Sequence, residues 1–257
     1  MKQVVIQLHD KPTTIQLTNQ LKKRLDEMKV HPRETYADVI LSLINIKLSK
    51  ILPEVIAEEP RRKAALERIT KETQISLDLA VDGVGKSEIS TPIGFLTHML
   101  ENFAKHGLFD LRINANGDLY VDQHHLVEDL GIALCQAFKK ALGDKKGINR
   151  AGFFAFPMDD CLSIVSLDIN GRPASLFKTE FEESSCGKLD TCNVKSFFSG
   201  FSIGLGANVI VITPILGDIH HQIESIFKAF GKAMKMACSK DKRALKEIPS
   251  TKGLIEI

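Results

Sequence analysis

Four histidines and two glutamates stand out by their spacing. His124-His125-Leu126-Val127-Glu128 is matched, 96 positions later, by His220-His221-Gln222-Ile223-Glu224. Each opens a stretch with helical apolar periodicity. On a helix the first histidine and the glutamate are i, i+4 neighbours, and the second histidine and the glutamate are i, i+3. Adjacent histidines point about 100° apart, so one pair cannot easily chelate a single ion. Imidazole with carboxylate suits a borderline divalent ion such as Mn²⁺, Fe²⁺ or Zn²⁺. A lone histidine at a helix start is more often a cap or a packing residue, but two matched sets favour metal. They predict two metal sites, each assembled from different parts of the chain or from different subunits. An aspartate stands just upstream of each first histidine, Asp122 and Asp218.

The repeat also predicts the frame. A motif recurring at that offset implies a duplicated half-domain. From Arg61 onward strand-like stretches alternate with amphipathic helices, an α/β reading. Residues 74–80, 111–114, 119–121, 163–167 and 209–212 have the β-branched and apolar alternation of strands. The helices run from His124 to Ala141 and from His220 to Ala237.

The first 60 residues read differently. Thr13-Thr14-Ile15-Gln16-Leu17 alternates as a short half-buried strand. Thr18 or Asn19 can cap a helix carrying Leu21, Leu25 and Met28, which His31-Pro32 should break. A second helix follows from Thr35, with Thr35-x-x-Asp38 as a shortened capping box. Its apolar set is Tyr36, Val39, Ile40, Leu43 and Ile44. So short a unit cannot bury its own core and should dimerise. The stretch resembles the ribbon-helix-helix family, in which strands pair across a dimer and enter the DNA major groove. That resemblance implies DNA contacts from Thr14 and Gln16, with Thr18 beside them. A dimerisation arm that touches no DNA is the other reading, and the segment's nearly cancelling charges favour it. The expected organisation is a module at 1–52, a proline-containing linker at 53–62, and a main domain at 63–257 with halves at 63–146 and 147–257.

Composition narrows the function classes. Among 257 residues, 34 Lys+Arg face 32 Asp+Glu, a net charge of +2. That removes a whole-chain electrostatic binder of nucleic acid or membrane. No apolar run reaches the roughly 20 residues that span a bilayer. The start lacks a signal-peptide core. Five scattered cysteines without Cys-x-x-Cys favour a reducing compartment. A cytoplasmic protein is expected.

Many ordered phrases then point one way. They are Thr70-Lys71-Glu72-Thr73, Gly94-Phe95-Leu96 with His98-Met99-Leu100, His106-Gly107, and Asp122-x-His124-His125-x-x-Glu128-Asp129. Further on come Gly143-Asp144-x-Lys146-Gly147-Ile148-x-Arg150, Pro157-Met158-Asp159, Gly171-Arg172-Pro173, His220-His221-x-x-Glu224-x-x-Phe227-Lys228-Ala229 and Pro249-Ser250-Thr251-Lys252-Gly253. With these, residues 61–254 resemble the imidazoleglycerol-phosphate dehydratases, hydro-lyases of histidine biosynthesis. The resemblance implies two βα halves, each a four-stranded sheet with two helices, assembled into an octahedral homo-oligomer with active sites between subunits. It implies two divalent ions per subunit, Mn²⁺, held by His98, His124, His125, Glu128, His220, His221 and Glu224. Glu72 would touch the substrate diol as the acid/base group, and Glu128, Glu224 and Lys228 complete the catalytic set. His106, Arg150, Arg172, Ser250 and Lys252 would bind the substrate and its phosphate. The reaction implied dehydrates imidazoleglycerol phosphate to imidazole acetol phosphate through an imidazolate that expels hydroxide to a diazafulvene-type species.

Some positions depart from the family pattern. Pro92 replaces a glycine, and Thr97 replaces an aspartate expected to orient the neighbouring histidine. The strand Asn208-Val209-Ile210-Val211-Ile212-Thr213-Pro214 lacks the family's histidine, so one metal should lose a ligand. The loop Gly217-Asp218-Ile219 is one residue short, with Asp218 as a substitute ligand if it turns inward. Ala151 and Cys135 read as packing changes. These losses leave a second expectation, a catalytically degenerate shell that clusters DNA-binding modules.

Overall fold

The computed structural model of the chain describes residues 3–8, 11–16, 18–29, 34–40, 42–44, 47 and 62–255. The chain divides into a unit Met1–Pro60 and a unit Arg61–Ile257. In the first, β1 (Gln3–Leu8) pairs antiparallel with β2 (Lys11–Gln16), and α1 (Asn19–Glu27) follows. The strand expected at 13–17 is therefore β2, with its Leu17 end outside the described residues. Its partner is β1 of the same chain, whereas the ribbon-helix-helix resemblance implied a strand from a second copy. Thr18 caps α1 by accepting from the Leu21 N–H. The expected break at His31-Pro32 lies outside the described residues. A second helix, α2, is described at 36–40, 42–44 and 47. Thr35 and Asp38 form the reciprocal cap at its start: Asp38 N–H donates to Thr35 Oγ1 and Thr35 N–H to Asp38 Oδ2. Leu25 and Val39 are buried together between the helices.

The second unit repeats one plan twice. In its first half come β3 (Lys63–Ile69), β4 (Thr73–Ala80), β5 (Ser87–Ser90), α3 (Gly94–Gly107), β6 (Asp110–Gly117) and α4 (His124–Leu142). The second half has β7 (Ala151–Met158), β8 (Cys161–Asp168), β9 (Ala174–Lys178), the short pair β10 (Ser185–Cys186) and β11 (Leu189–Asp190), α5 (Cys192–Leu205), β12 (Asn208–Ile215) and α6 (Ile219–Cys238). The sheets run β3-β4-β6-β5 and β7-β8-β12-β9. In each, a hairpin leads, and a strand–helix–strand crossover adds a parallel pair, β5 with β6 and β9 with β12. Two four-stranded sheets and four helices match the fold class expected from the sequence.

Period-2 patterning explains why each sheet uses one face. In β4, Thr73, Ile75, Leu77 and Leu79 are buried while Gln74, Ser76 and Asp78 are exposed. The buried faces meet the helices in one core. Its centre is aromatic: Phe103 of α3 stacks on Phe230 of α6 at 4.6 Å, and Phe138 of α4 meets Phe201 of α5 at 6.2 Å. Helices α4 and α5 approach closely because Gly131 faces the Phe197 carbonyl of α5 and Gly200 the Glu128 carbonyl of α4. A Cβ on Gly200 would sit 2.5 Å from the Glu128 carbonyl oxygen. This contact fixes the height of α4, and hence of its N-terminal histidines, against the second half.

Two local readings change. Residues 119–121 form a turn, with Val121 N–H donating to the Asp118 carbonyl. The apolar triplet serves to reverse the chain into α4, and Tyr120 is 91% exposed. Arg62, placed in the linker by sequence, is anchored to the main unit: its guanidinium holds Asp82 and donates to the Cys238 carbonyl.

Candidate active site

Each histidine pair lies at a helix start because an aspartate holds that start. Asp122 accepts the His124 N–H at 2.7 Å, and Asp218 accepts the N–H groups of His220 and His221. These bonds satisfy amides that a first helical turn leaves open. Asp218 is thus the cap of α6, and the expectation that it turns inward as a ligand gives way to that role.

The side chains then fall into distinct groups. His98 of α3 meets His220 and Glu224 of α6, with ligand atoms within 4.8 Å of one another; among the described residues this is the one such group of three. His220 Nε2 is 2.9 Å, and His98 Nε2 3.6 Å, from Glu224 Oε2. Phe95 lies edge-on to His220 at 5.1 Å and walls one side. The other oxygen of Glu224 accepts from Lys228 Nζ at 2.8 Å. Burial pushes the Glu224 carboxyl up, but the Lys228 bond and charge, then His220 and His98, bring it below the usual range. Lys228 also reaches Met158 Sδ and lies 5.5 Å from the Phe156 ring centre. His106 meets that ring edge-on at 5.2 Å, and its pKa is lowered by burial and then by Lys228.

In the first half the neighbours differ. His125 Nδ1 lies 3.1 Å from Asp118 and 3.9 Å from Glu72 Oε2. The Asp118 hydrogen bond, against a smaller desolvation, raises the His125 pKa. His124 Nε2 is 3.8 Å from Glu128, and its Nδ1 is 3.3 Å from Ser196 Oγ of α5. In the second half His221 faces Asp159 and Asp160, the two-residue turn between β7 and β8. Asp159 takes a left-handed φ of 46° there, which aspartate tolerates. Neither Asp118 nor the Asp159–Asp160 pair was singled out as a histidine partner from sequence. Asp118 precedes α4, and Asp160, with Asp159 beside it, lies 61 residues before His221, so only the turns bring them in.

The phosphate candidates are placed as follows. Arg150, at φ 68°, forks onto Asp168 and donates from its third nitrogen to the Pro249 carbonyl. It therefore ties down the segment that carries Ser250 and Lys252. Ser250 Oγ accepts the Lys252 N–H at 3.2 Å. Arg172 is exposed on the β8–β9 loop, its own N–H held by Asn170. Thr97 bonds Thr91 and not His98; His98 has Asn102 Nδ2 at 3.2 Å and Glu101 at 3.9 Å. In β12, Val211 is fully buried in the core.

Two matched halves with histidine–carboxylate groups at their helix starts define the class: a duplicated α/β protein in which His98, His220 and Glu224 form a group that could hold a metal ion. The imidazoleglycerol-phosphate dehydratase family model matches residues 91–234. The imidazoleglycerol-phosphate dehydratase of Koribacter versatilis is 53% identical over 194 residues, covering 76% of this chain and all of that one. That of Hydrogenovibrio crunogenus is 46% identical over the same shares. The crystal structure of the Staphylococcus aureus enzyme superposes with a TM-score of 0.63 at 34% identity, covering 70% of this chain and 99% of that one. The Pyrococcus furiosus structure gives 0.65 at 34%, covering 74% and 99%. The chain belongs to the imidazoleglycerol-phosphate dehydratase family. Residues 12–49 separately match a family of unknown function (DUF7557).

Proposed function

We propose that this chain is a hydro-lyase that converts imidazoleglycerol phosphate to imidazole acetol phosphate in histidine biosynthesis. The observation that carries this is the group His98, His220 and Glu224, in a chain that spans its relatives' full length. Two imidazoles and a carboxylate within reach of one point fit a borderline divalent ion, and Mn²⁺ is the ion proposed. His124, His125, Glu128 and His221 are the remaining ligand candidates, for a second ion completed by neighbouring subunits of an octahedral assembly. A bound divalent cation supplies the charge that favours the deprotonated form of the substrate imidazole.

The residues of the chain do the rest. Glu72, half-exposed and 3.9 Å from His125, moves the proton at its Oε2 that the change from diol to enol requires. Lys228 keeps Glu224 ionised and turned so that one oxygen faces the imidazoles. Arg172, Ser250 and Lys252 take the phosphate, with Arg150 holding that segment in place. No described helix is long and apolar enough to cross a membrane, and we assign the enzyme to the cytoplasm.

The test is turnover of imidazoleglycerol phosphate by the purified full chain, with bound metal counted in the same sample. Turnover that falls on chelation and returns with Mn²⁺ is expected. A metal-loaded chain without turnover overturns the assignment and leaves the degenerate-scaffold reading. Residues 1–52 are proposed as a separable accessory module, with Thr14 and Gln16 on β2 facing DNA if it binds any. Binding that does not weaken with salt would remove the DNA role.

A further inference from the structure

The backbone of Glu72 is tied to α4 from both sides. Asp129 is buried on α4, one turn beyond His125, and receives two bonds: Arg68 Nη2 at 2.7 Å on one oxygen, Thr73 Oγ1 at 2.5 Å on the other. Thr73 is 2% exposed. Its hydroxyl lies 3.1 Å from that of Thr70, which in turn accepts the N–H groups of Glu72 at 3.1 Å and of Thr73 at 2.9 Å. On the other side the Glu72 carbonyl accepts the Asp118 N–H at 3.0 Å, and the Asp118 carboxylate holds His125. The side chain of Glu72 is 53% exposed, but its peptide is locked.

Proton counting gives the chain a direction. A hydroxyl has one donor and two acceptor sites, and a carboxylate only accepts. Asp129 therefore obliges Thr73 to donate to it. Thr73 then accepts from the Thr70 hydroxyl, which leaves Thr70 with two lone pairs for the two amides. Each hydroxyl then donates once, and the acceptor sites of Thr70 are both filled. Reversing the Thr73 hydroxyl would bring a third donor onto Thr70 and leave an amide of the turn unpaired.

We infer that Asp129 and Thr73 are positioning residues for Glu72: through Thr70 they hold its carboxylate at the working distance from His125. The inference rests on the reading of Glu72 as the proton-moving group. The second half supports it by contrast. There Ser225 stands after Glu224 as Asp129 stands after Glu128, and it bonds Ser163 and the Gln222 carbonyl. The hydroxyl chain ending on a carboxylate belongs to the Glu72 half.

The test compares Thr73→Val, Thr73→Ser, Asp129→Asn and Glu72→Gln in the full metal-loaded chain, with kcat referred to metal content. Thr73→Val and Asp129→Asn should each lower kcat about tenfold or more with KM within about twofold, since misplacing a reacting group is read in kcat. Thr73→Ser, which keeps the hydroxyl, should stay within about threefold of the parent. The double variant Thr73→Val/Glu72→Gln should be no slower than Glu72→Gln alone, because Thr73 acts only through Glu72. Parental kcat in Thr73→Val or Asp129→Asn beside an inactive Glu72→Gln overturns the positioning role, as does a multiplied loss in the double variant. Parental kcat in Glu72→Gln overturns instead the reading of Glu72, and the inference with it. Should Thr73→Val fail to fold, Asp129→Asn, of nearly equal volume, carries the same expectation.

Discussion

Replacing Lys228 by methionine isolates the charge that balances Glu224. The two side chains are 16% and 9% exposed, with Nζ 2.8 Å from Oε1. Methionine matches the lysine in length, and the groups around the ammonium, Met158 and the Phe156 ring, suit a thioether. The change therefore removes a charge-assisted bond without opening a cavity. Such a bond contributes about 1.5–3 kcal/mol, and its loss leaves a largely buried carboxylate facing two imidazoles. At about 2–4 °C per kcal/mol for a domain of this size, the midpoint should fall by about 3–12 °C.

Thermal unfolding in chelator at pH 7 reads this directly. The Glu224 carboxyl is held below its ordinary value of 4.5, so its contribution is present above that value and lost as pH falls through the lowered one. The gap between parent and Lys228→Met should thus be full at pH 7 and close in acid. With a divalent ion bound, Glu224 retains a cationic partner and the gap should narrow. Equal midpoints in chelator at pH 7 would refute the claim that Lys228 balances Glu224.

Gly204→Ala should destabilise the main unit by about 1–3 kcal/mol, since its Cβ would lie against the buried Cys135 sulfur; adding Cys135→Ala should restore most of the loss, measured by denaturant unfolding. Asp82→Asn should lower the melting midpoint at neutral pH. Arg62 holds that carboxyl below 3.8, so the difference should be full above that value and vanish as pH falls through the lowered one. Arg172→Ala and Lys252→Ala should each raise KM for the phosphorylated substrate about tenfold or more, as each removes a contact of about 1.5–3 kcal/mol; an unchanged KM for both would misplace the phosphate site.

The sequence carried the frame well because the frame is periodic. Alternation in Thr73–Ala80 and the helical runs after His124 and His220 report burial directly, and the duplicated motif reports the repeat. It carried the partners poorly. Residues 119–121 alternate like a strand, yet the chain must reverse there to start α4, and tertiary need overrode local pattern. The strand β1 adds a partner for β2 that the short alternation at 13–17 did not require. Asp118, Asp129, Asp159 and Asp160 meet the site through turns or across the sheet–helix boundary, where no fixed spacing announces contact. Arg150 was legible as a phosphate candidate by its motif, but its fork onto Asp168 could only emerge once β7 and β8 were paired.

The duplicated halves are alike in backbone and unlike in their acids. A four-residue turn at 70–73 presents Glu72 to His125, and a two-residue turn presents Asp159 and Asp160 to His221. The hydrogen bond that His125 donates to Asp118 raises the pKa of His125, while the Asp218 N–H and then His221 hold Asp160 low. One frame thus delivers two histidine pairs with different acidic partners. A reaction that must bind an imidazole at one point and transfer a proton at another needs that inequality. Duplication alone, with its two equal copies, supplies positions only. The difference comes from the turns, which decide which carboxylate reaches each histidine pair.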